Sequence, residues 1–280
     1  LAVDDVRRLC TPATKAVIAV HYAGQPAAMQ PLAEVCTERG MTLIEDNAHG
    51  PLADGIDANG ATQALGTIGA IGCFSFFSNK NMATGEGGMV TTRDAALADK
   101  LRLLRSHGMT ALTLQRHKGH AHGYDVVQLG YNYRIDELRS ALGTSQLARL
   151  PENNAARAQI SSRYHTLLAD VPKVTVPFVD RVAPGRVAPH IMPVLLAAGI
   201  SRDKVQAHMR ASGVQTSVHY PPIHTFTHHS ASPSVRTGSL RVTESVAPRL
   251  LTLPLYPTLG RADQDLVVES LAAAIQSGGV

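Results

Sequence analysis

The stretch KAVIAVHYAGQPAAMQPLAEVCTERGMTLIEDNA, residues 15–48, contains the pattern that decides the fold. Its first eight residues are a short apolar run rich in β-branched side chains, which predicts a buried strand. A segment with helical spacing follows and ends at Gly40, a residue typical of helix C-termini, and MTLIEDNA then predicts a second buried strand. A strand, a helix and a strand in this order form a βαβ unit, whose two strands pair in parallel.

The segments downstream extend this unit into a layered fold. Residues 72–77 and 88–92 predict further strands, and Asp94 is expected to cap a helix that ends at Gly108. Residues 114–134 are rich in His, Gly and Tyr without a sustained period, and they predict a long functional loop. The alternation of strands and helices indicates an α/β layer with a mostly parallel central sheet.

The second half of the chain has a different pattern. We predict a pair of helices over residues 136–150 and 151–170, and from residue 171 a smaller C-terminal α+β domain. The elements predicted in that domain are strands at residues 174–178, 190–196 and 214–220 and a helix at residues 201–213.

Composition limits the possible partners. The 280 residues carry a net charge of +4, but the basic residues are scattered and aromatic residues make up 4%, so we expect no nucleic-acid partner. No uninterrupted apolar run reaches about 18 residues, so we expect no membrane span. Three widely spaced cysteines suggest neither a disulfide framework nor a metal pair, and we expect a reducing, cytoplasmic location. A phosphorylated small molecule fits this charge balance.

Two charged residues follow predicted strands. Lys80, in CFSFFSNKNMATGEGGMVTT at residues 73–92, is either part of a solvated turn or a desolvated amine that can condense with an aldehyde. Asp46 either caps a local turn or projects into the same cleft, because ligands of open α/β sheets gather at the carboxyl ends of strands. Pyridoxal phosphate needs such a lysine and carboxylate, and Ser75 with the nearby glycines could bind its phosphate.

Eight segments in the same order resemble the sugar aminotransferases of the DegT/DnrJ/EryC1/StrS family. They are VHYAGQPAAM, LIEDNAHG, GCFSFFSNKN, GEGGMVTT, LRSHGM, GYNYRIDELRSALG, VHYPPIH and LPLYPTL. The resemblance implies the fold-type I pyridoxal-phosphate transferase architecture, with a large cofactor-binding α/β domain at residues 1–135, connecting helices at 136–170 and a small α+β domain at 171–280. It also implies pyridoxal 5'-phosphate as cofactor, a nucleotide-linked keto sugar as substrate, and glutamate or glutamine as amino donor.

The resemblance further implies roles for particular residues. Lys80 corresponds to the Schiff-base lysine and Asp46 to the partner of the pyridinium nitrogen, with Ala48 near the ring, His49 near its phenolic oxygen, and Ser75 on the phosphate. Asn132, in GYNYR, corresponds to an asparagine that reaches the phosphate from a neighbouring subunit, which implies a homodimer with shared active sites. The VHYPPIH loop, with His219, Tyr220 and His224, resembles a segment that borders the substrate. No metal is implied.

Family chains begin with roughly a hundred residues that have no match in this sequence. Because they include a Gly-Thr phosphate-binding turn and an aromatic residue that stacks on the cofactor, we expect either a truncated sequence or a natural fragment that holds the cofactor poorly. A non-catalytic or regulatory remnant is therefore an alternative, although Lys80 together with Asp46 argues against it. A deoxysugar dehydratase is a second alternative, but those family members have histidine in place of the lysine.

Two further motifs have competing interpretations. GTIGAIG, residues 66–72, contains glycines spaced GxxGxxG, which differs from the GxGxxG spacing of a dinucleotide-binding loop. HKGHAH, residues 117–122, offers three histidines at a conceivable metal-ligand spacing but lacks supporting carboxylates or thiolates. We favour a solvated loop, or one folded over the sugar, for the second motif.

Overall fold

The computed structural model of the protein describes residues 1–110, 123–180 and 184–277. Its helices and strands follow the chain in the order α1 Val3–Leu9, β1 Ala16–Val20, α2 Met29–Arg39, β2 Thr42–Asp46, β3 Asp54–Ile56, β4 Thr62–Ala64, β5 Ile71–Ser75, β6 Gly88–Thr91, α3 Ala95–Leu104, α4 Glu137–Leu168, β7 Val174–Thr175, β8 Met192–Leu196, α5 Arg202–Ala211, α6 Thr227–Ser230, α7 Arg241–Val246, β9 Leu250–Leu253 and α8 Arg261–Gln276. None of the helices in these ranges combines the length and apolar character that a bilayer-crossing helix requires.

A central sheet of four strands has the order β1-β2-β5-β6. Strand β2 pairs in parallel with β1 and with β5, whereas β6, at one edge, runs antiparallel to β5. Helix α2 connects β1 to β2, and Gly40 ends it in the left-handed conformation with a φ of 65°. The predicted βαβ unit and the mostly parallel sheet are confirmed.

The two faces of this sheet have different surroundings. Val17 and Leu43 belong to a buried core cluster with the apolar side chains of α2. Side chains alternate across a strand, so Ile18 and Val20 point to the opposite face, where 59% and 47% of their surfaces are exposed. Asp46 pairs with Val20 in register and shares this open face. The last carboxylate of β2 therefore lies on the accessible side of the sheet.

A second core lies in the C-terminal half of the chain. Strands β7, β8 and β9 form an antiparallel sheet, and helices α5 and α8 and the end of α4 pack with it. Tyr164 of α4, Val194 of β8 and Leu271 of α8 are fully buried in this cluster. The predicted α+β character of this unit is confirmed, while the boundaries at residues 135 and 170 stay predictions.

The predicted pair of helices over residues 136–170 is wrong, because α4 is one helix of 32 residues with Pro151 inside it. A proline inside a helix removes one hydrogen bond and usually kinks or breaks the helix. Here buried residues anchor both sides of the proline: Leu150 is 1% exposed, and the Asn154 side chain donates to the Pro51 carbonyl oxygen at 2.9 Å. These contacts hold the helix together across Pro151.

The predicted strand at residues 214–220 is also wrong. Only Ser217 pairs with a strand residue in this described segment, through two backbone hydrogen bonds with Thr252 of β9. Beyond it, His219 and Tyr220 direct their side chains to Thr252 and to His49, at 3.1 and 2.9 Å. The segment therefore meets the sheet edge at one residue, and side-chain contacts take the place of a backbone ladder beyond it.

Candidate active site

Lys80 lies in the turn that follows β5, where its amide donates to the Phe77 carbonyl oxygen at 3.0 Å. Its side chain is partly buried. Burial lowers the pKa of the Lys80 amine, and the charge of the nearby Asp46 carboxylate opposes that shift. A fully solvated turn does not describe this lysine, since its side chain is partly buried and its amine lies within the field of a carboxylate.

Asp46 is the last residue of β2, at the carboxyl end of a parallel strand. Its Oδ1 accepts a hydrogen bond from the Ala48 amide at 3.1 Å, which is the local turn contact that one interpretation of the sequence predicted. Its charge also acts on Lys80, as the other interpretation predicted. The local turn contact is therefore present and the Ala48 amide is bonded to Asp46, while a role for Asp46 in a ligand cleft stays a prediction.

His49 is buried and has a defined tautomer. Its Nδ1 accepts a hydrogen bond from the Ala23 amide at 3.2 Å, so in the neutral ring the proton is on Nε2, which donates to the Tyr220 hydroxyl oxygen at 2.9 Å. Burial lowers the pKa of His49 to about 3, with further contributions from the charges of Lys80 and His219. His49 is therefore a neutral donor at physiological pH, and it leaves the hydroxyl hydrogen of Tyr220 free for another acceptor.

His190 belongs to the same cluster and was not predicted, because it lies in the apolar segment HIMPVLL that indicates a strand. Its ring lies 4.3 Å from that of His49, centroid to centroid. Its Nδ1 is 2.9 Å from Oδ1 of Asn81, whose Nδ2 donates to Asn154 at 3.0 Å. Nδ1 of His190 is therefore the donor. Burial, followed by the charges of His49, Lys80 and other neighbours, lowers the pKa of His190 to about 2.

A buried guanidinium completes the cluster. Arg157 projects from α4, is 7% exposed, and donates from Nη1 to the carbonyl oxygens of His190 and Leu255 at 3.2 and 2.9 Å. Burial lowers its pKa to about 10. Arg157 lines a cavity of about 180 Å³ together with Asn79, His190, His219 and other residues. An arginine on a long helix has no local sequence signal that separates it from a surface residue, so it was missed.

Glu45 shows why the glycine-rich segment after β4 is present. It is fully buried and accepts hydrogen bonds at 2.7 Å from the amides of Gly66, Ile68 and Gly69 and at 3.0 Å from Nε2 of His21. Burial acts to raise the pKa of Glu45, but these hydrogen bonds outweigh it and lower the pKa. The amides of GTIGAIG therefore bind a carboxylate of the chain itself and hold the end of β2 in place.

The remaining predicted site residues have different locations. Ser75 ends β5, and its side chain shares the open sheet face with Cys73, which pairs with Asp46. Asn132 is exposed and forms a backbone bridge with the buried Ser106. His224 lies in a short turn, 3.8 Å from Glu244. Hydrogen bonds and ion pairs among the described residues join neither Asn132 nor His224 to Lys80.

The chemistry of these groups fits pyridoxal phosphate. An amine with a lowered pKa suits its aldehyde, a carboxylate suits its ring nitrogen, and a hydroxyl suits its phosphate; Lys80, Asp46 and Ser75 supply these three groups. No cluster of three or more His, Cys, Asp or Glu side chains placed to hold a metal ion occurs within residues 1–110, 123–180 and 184–277. The HKGHAH motif at residues 117–122 lies outside the described residues.

Comparison with known proteins identifies several similar chains. The model of the DegT/DnrJ/EryC1/StrS aminotransferase family matches residues 1–272. The spore coat polysaccharide biosynthesis protein SpsC of Bacillus subtilis (strain 168) is 34% identical over 278 residues, which cover 97% of this chain and 70% of SpsC. The dTDP-4-dehydro-2,3,6-trideoxy-D-glucose 4-aminotransferase of Saccharopolyspora spinosa is 34% identical over 276 residues, which cover 98% of this chain and 69% of the relative.

Solved structures show the same fold. PseC of Helicobacter pylori, an aminotransferase involved in the biosynthesis of pseudoaminic acid, superposes with a TM-score of 0.88 and 24% sequence identity. The match covers 99% of this chain and 71% of PseC. The predicted architecture is therefore confirmed independently of any single motif.

Proposed function

The chain belongs to the DegT/DnrJ/EryC1/StrS aminotransferase family, and from this premise we propose that it transfers an amino group from glutamate or glutamine to a keto sugar linked to a nucleotide. The predicted family and the predicted enzyme class are confirmed. The name of the Saccharopolyspora relative supports the sugar substrate, and it favours amino transfer over the dehydratase and the regulatory remnant. The observation that carries the proposal is the partly buried Lys80 in the turn after β5, within the field of the Asp46 carboxylate at the end of β2.

Pyridoxal 5'-phosphate is the proposed cofactor. Lys80 would hold its aldehyde carbon, Asp46 its ring nitrogen and Ser75 its phosphate, with Ala48 and His49 beside the ring. When bound, this cofactor supplies an electron sink that stabilises negative charge on the α-carbon of the amino donor. Asp46 contributes by keeping a proton on the ring nitrogen, since a carboxylate favours the charged form of a neighbouring base.

Lys80 is the proposed proton carrier. Because burial lowers its pKa, a larger fraction of its amine is neutral at physiological pH than in an exposed lysine, and a neutral amine can accept a proton from the α-carbon of the donor. His49 contributes no charge, because its pKa is about 3. It fixes the Tyr220 hydroxyl through Nε2, and the free hydroxyl hydrogen of Tyr220 can then bind an oxygen of the substrate.

The proposal includes a cytoplasmic homodimer. Asn132 is exposed, which leaves its side chain open to a partner subunit and supports the proposal that it reaches the phosphate of a cofactor bound there. His219 and Tyr220, which bond to Thr252 and His49, are the proposed substrate contacts, and His224 lies in the same loop.

An assay with the full-length protein tests this function. A panel of nucleotide-linked keto sugars would be incubated with the cofactor and with L-glutamate or L-glutamine, and the products would be analysed by mass spectrometry. The proposal predicts an amino sugar and the matching keto acid from at least one pair. Loss of a sugar hydroxyl without amino transfer would identify a dehydratase, and the absence of any product with cofactor-loaded protein would support the non-catalytic remnant.

A further inference from the structure

Asn154 of α4 connects the two segments that carry the candidate site. Its side chain is buried, with 5% of the residue exposed. Its Nδ2 donates to the Pro51 carbonyl oxygen at 2.9 Å, and its Oδ1 accepts from Nδ2 of Asn81 at 3.0 Å. Pro51 lies shortly after His49 in the segment that follows β2, and Asn81 is the residue directly after Lys80. One buried amide therefore bonds to both segments.

The orientations of the two asparagine amides are determined by their partners. A carbonyl oxygen only accepts, so the groups that face the carbonyl oxygens of Pro51 and Pro189 are the Nδ2 donors. Nδ2 of Asn81 lies 3.4 Å from the Pro189 oxygen, and its Oδ1 faces Nδ1 of His190 at 2.9 Å. The hydrogen bonds therefore run in one direction along the chain of side chains, and each donor meets an acceptor. A buried polar network that is satisfied in this way is rigid.

The sheet joins the same two segments at their bases. There the Asn47 amide, directly after β2, donates to the Cys73 carbonyl oxygen of β5 at 2.8 Å. Beyond this bond the turn after β5 is closed by its own backbone, for example by the bond from the Lys80 amide to the Phe77 carbonyl oxygen. Asn154 links the segments again beyond the sheet, next to Lys80. A link at this point limits how far the turn can move from the segment after β2.

We propose that Asn154 is a positioning residue, which holds the turn of Lys80 against the segment of Asp46. This inference rests on the proposed function, in which these two side chains serve the aldehyde carbon and the ring nitrogen of one cofactor. Asn154 acts through its neighbours and does not itself contact the substrate. Reaction rates depend steeply on such placement, since a shift of about 1 Å can reduce a rate about 100-fold.

The competing role is purely structural, because a buried amide that bonds to a backbone carbonyl oxygen stabilises the fold wherever it lies. The chain offers a matched control for this role. Gln264 of α8 is 2% exposed, and its Nε2 donates to the carbonyl oxygen of Ile160, also on α4, at 3.0 Å. Ile160 belongs to the C-terminal core. Gln264→Met therefore removes a buried amide that bonds to the same helix outside the candidate site.

Steady-state kinetics of the full-length Asn154→Leu and Gln264→Met proteins, loaded with pyridoxal phosphate, test the inference at a temperature well below their melting temperatures. The substrates are the amino donor and keto sugar that the panel assay identifies. Asn154→Leu is expected to lower kcat roughly 10- to 100-fold and to change both KM values less than about twofold, since displaced reacting groups slow the reaction without weakening substrate binding. Gln264→Met should keep the kcat of the wild type, although both variants should melt at a lower temperature.

Visible circular dichroism of the loaded proteins is the second readout. The proposal places the cofactor ring between Lys80 and Asp46, so its spectrum should change in Asn154→Leu and stay that of the wild type in Gln264→Met. A loss of stability alone would not alter this spectrum in protein that is still fully folded.

An unchanged kcat in Asn154→Leu, a higher KM without a lower kcat, an unchanged visible spectrum, or an equal loss of kcat in Gln264→Met would overturn the inference. If Asn154→Leu does not fold, as judged by its melting curve, Asn154→Ser decides between the same outcomes, because the serine hydroxyl is too short to reach both partners. A wild-type protein that transfers no amino group from any donor would instead reject the proposed function, so the two failures are distinguishable.

Discussion

At Asp46 a single carboxylate has two tasks. Its Oδ1 accepts a hydrogen bond from the Ala48 amide, and its charge acts on the Lys80 amine against the effect of burial. The Asp46→Asn substitution separates these tasks, because an amide oxygen can keep the first contact while the charge is lost. We expect the fold to persist and the rate of amino transfer to decrease about 10- to 100-fold, from the loss of one charge-assisted hydrogen bond of roughly 1.5–3 kcal/mol.

Steady-state kinetics of Asp46→Asn beside the exposed control Asp99→Asn would test this expectation. Asp99 pairs only with Arg102 among the described residues, so its substitution should leave the rate unchanged. A rate like that of the wild type in Asp46→Asn would exclude its role at the ring nitrogen.

The buried histidines predict a pH dependence of stability. The pKa values of His49 and His190 are about 3 and about 2 in the folded state, below the ordinary value of 6.5 that applies after unfolding. Between pH 6.5 and 3 the unfolded chain therefore binds more protons, and the free energy of unfolding decreases as the pH falls. Each histidine contributes up to about 1.4 kcal/mol per pH unit well below pH 6.5.

Urea denaturation of the cofactor-free protein between pH 5 and 7.5 measures this slope. His190→Asn should lower the number of protons taken up on unfolding by about one, and the slope of the unfolding free energy against pH should fall accordingly. The amide of asparagine can replace the Nδ1 donor to Asn81 without titrating. The exposed His228→Asn is the control. An unchanged slope in His190→Asn would show that His190 is already protonated in the folded protein.

Local chemistry explains which site residues could be predicted from the sequence. Lys80 and Asp46 were candidates from the sequence, because a charged residue at or soon after the end of a buried strand is unusual and each lies in a motif. His190 and Arg157 were not, since they reach the site only through the long contacts that bring α4 and the segment before β8 to the turn of Lys80. Such contacts have no local signal in the chain.

At the scale of elements, Pro151 is the least ordinary feature of α4. The proline lacks the amide hydrogen that would bond to the carbonyl of Leu147, one turn earlier. Pro151→Ala restores that donor but also makes the unfolded chain more flexible, so we expect a net increase of about 1–2 kcal/mol in the free energy of unfolding. Thermal or urea unfolding measures this change in the free energy of unfolding, with Glu152→Ala as a neighbouring exposed control. A Pro151→Ala variant that is less stable than the wild type would show that the helix requires the proline.

Hydrophobic periodicity predicted β1, α2 and β2 to within a few residues, because their buried positions follow regular spacing. It failed for β3 and β4, which are three residues long and too short to show a period. It also failed for residues 214–220, where Val214 packs in the C-terminal core but His219 and Tyr220 bond through their side chains to Thr252 and His49. The conformation of these segments depends on tertiary contacts, which a periodic pattern does not show.

At the scale of the whole molecule, the proposed shared site makes a prediction about mixtures of chains. If Asn132 serves the cofactor of the partner subunit, a Lys80→Ala chain and an Asn132→Ala chain should form heterodimers in which one site has both residues. We expect partial recovery of activity on mixing two variants that are each inactive or weak alone. No recovery, with subunit exchange verified by mass spectrometry, would indicate that each site is built within one chain.

The central claim is that Lys80 holds the cofactor of an aminotransferase, and borohydride reduction followed by tryptic mass spectrometry tests it most directly. Trypsin does not cleave after a modified lysine, so reduction of the loaded full-length protein should join residues 40–80 and 81–93 into one peptide with the added mass of the cofactor. The Lys80→Ala protein should give no such adduct. Attachment to another lysine, or no attachment in protein that transfers amino groups, would contradict the account.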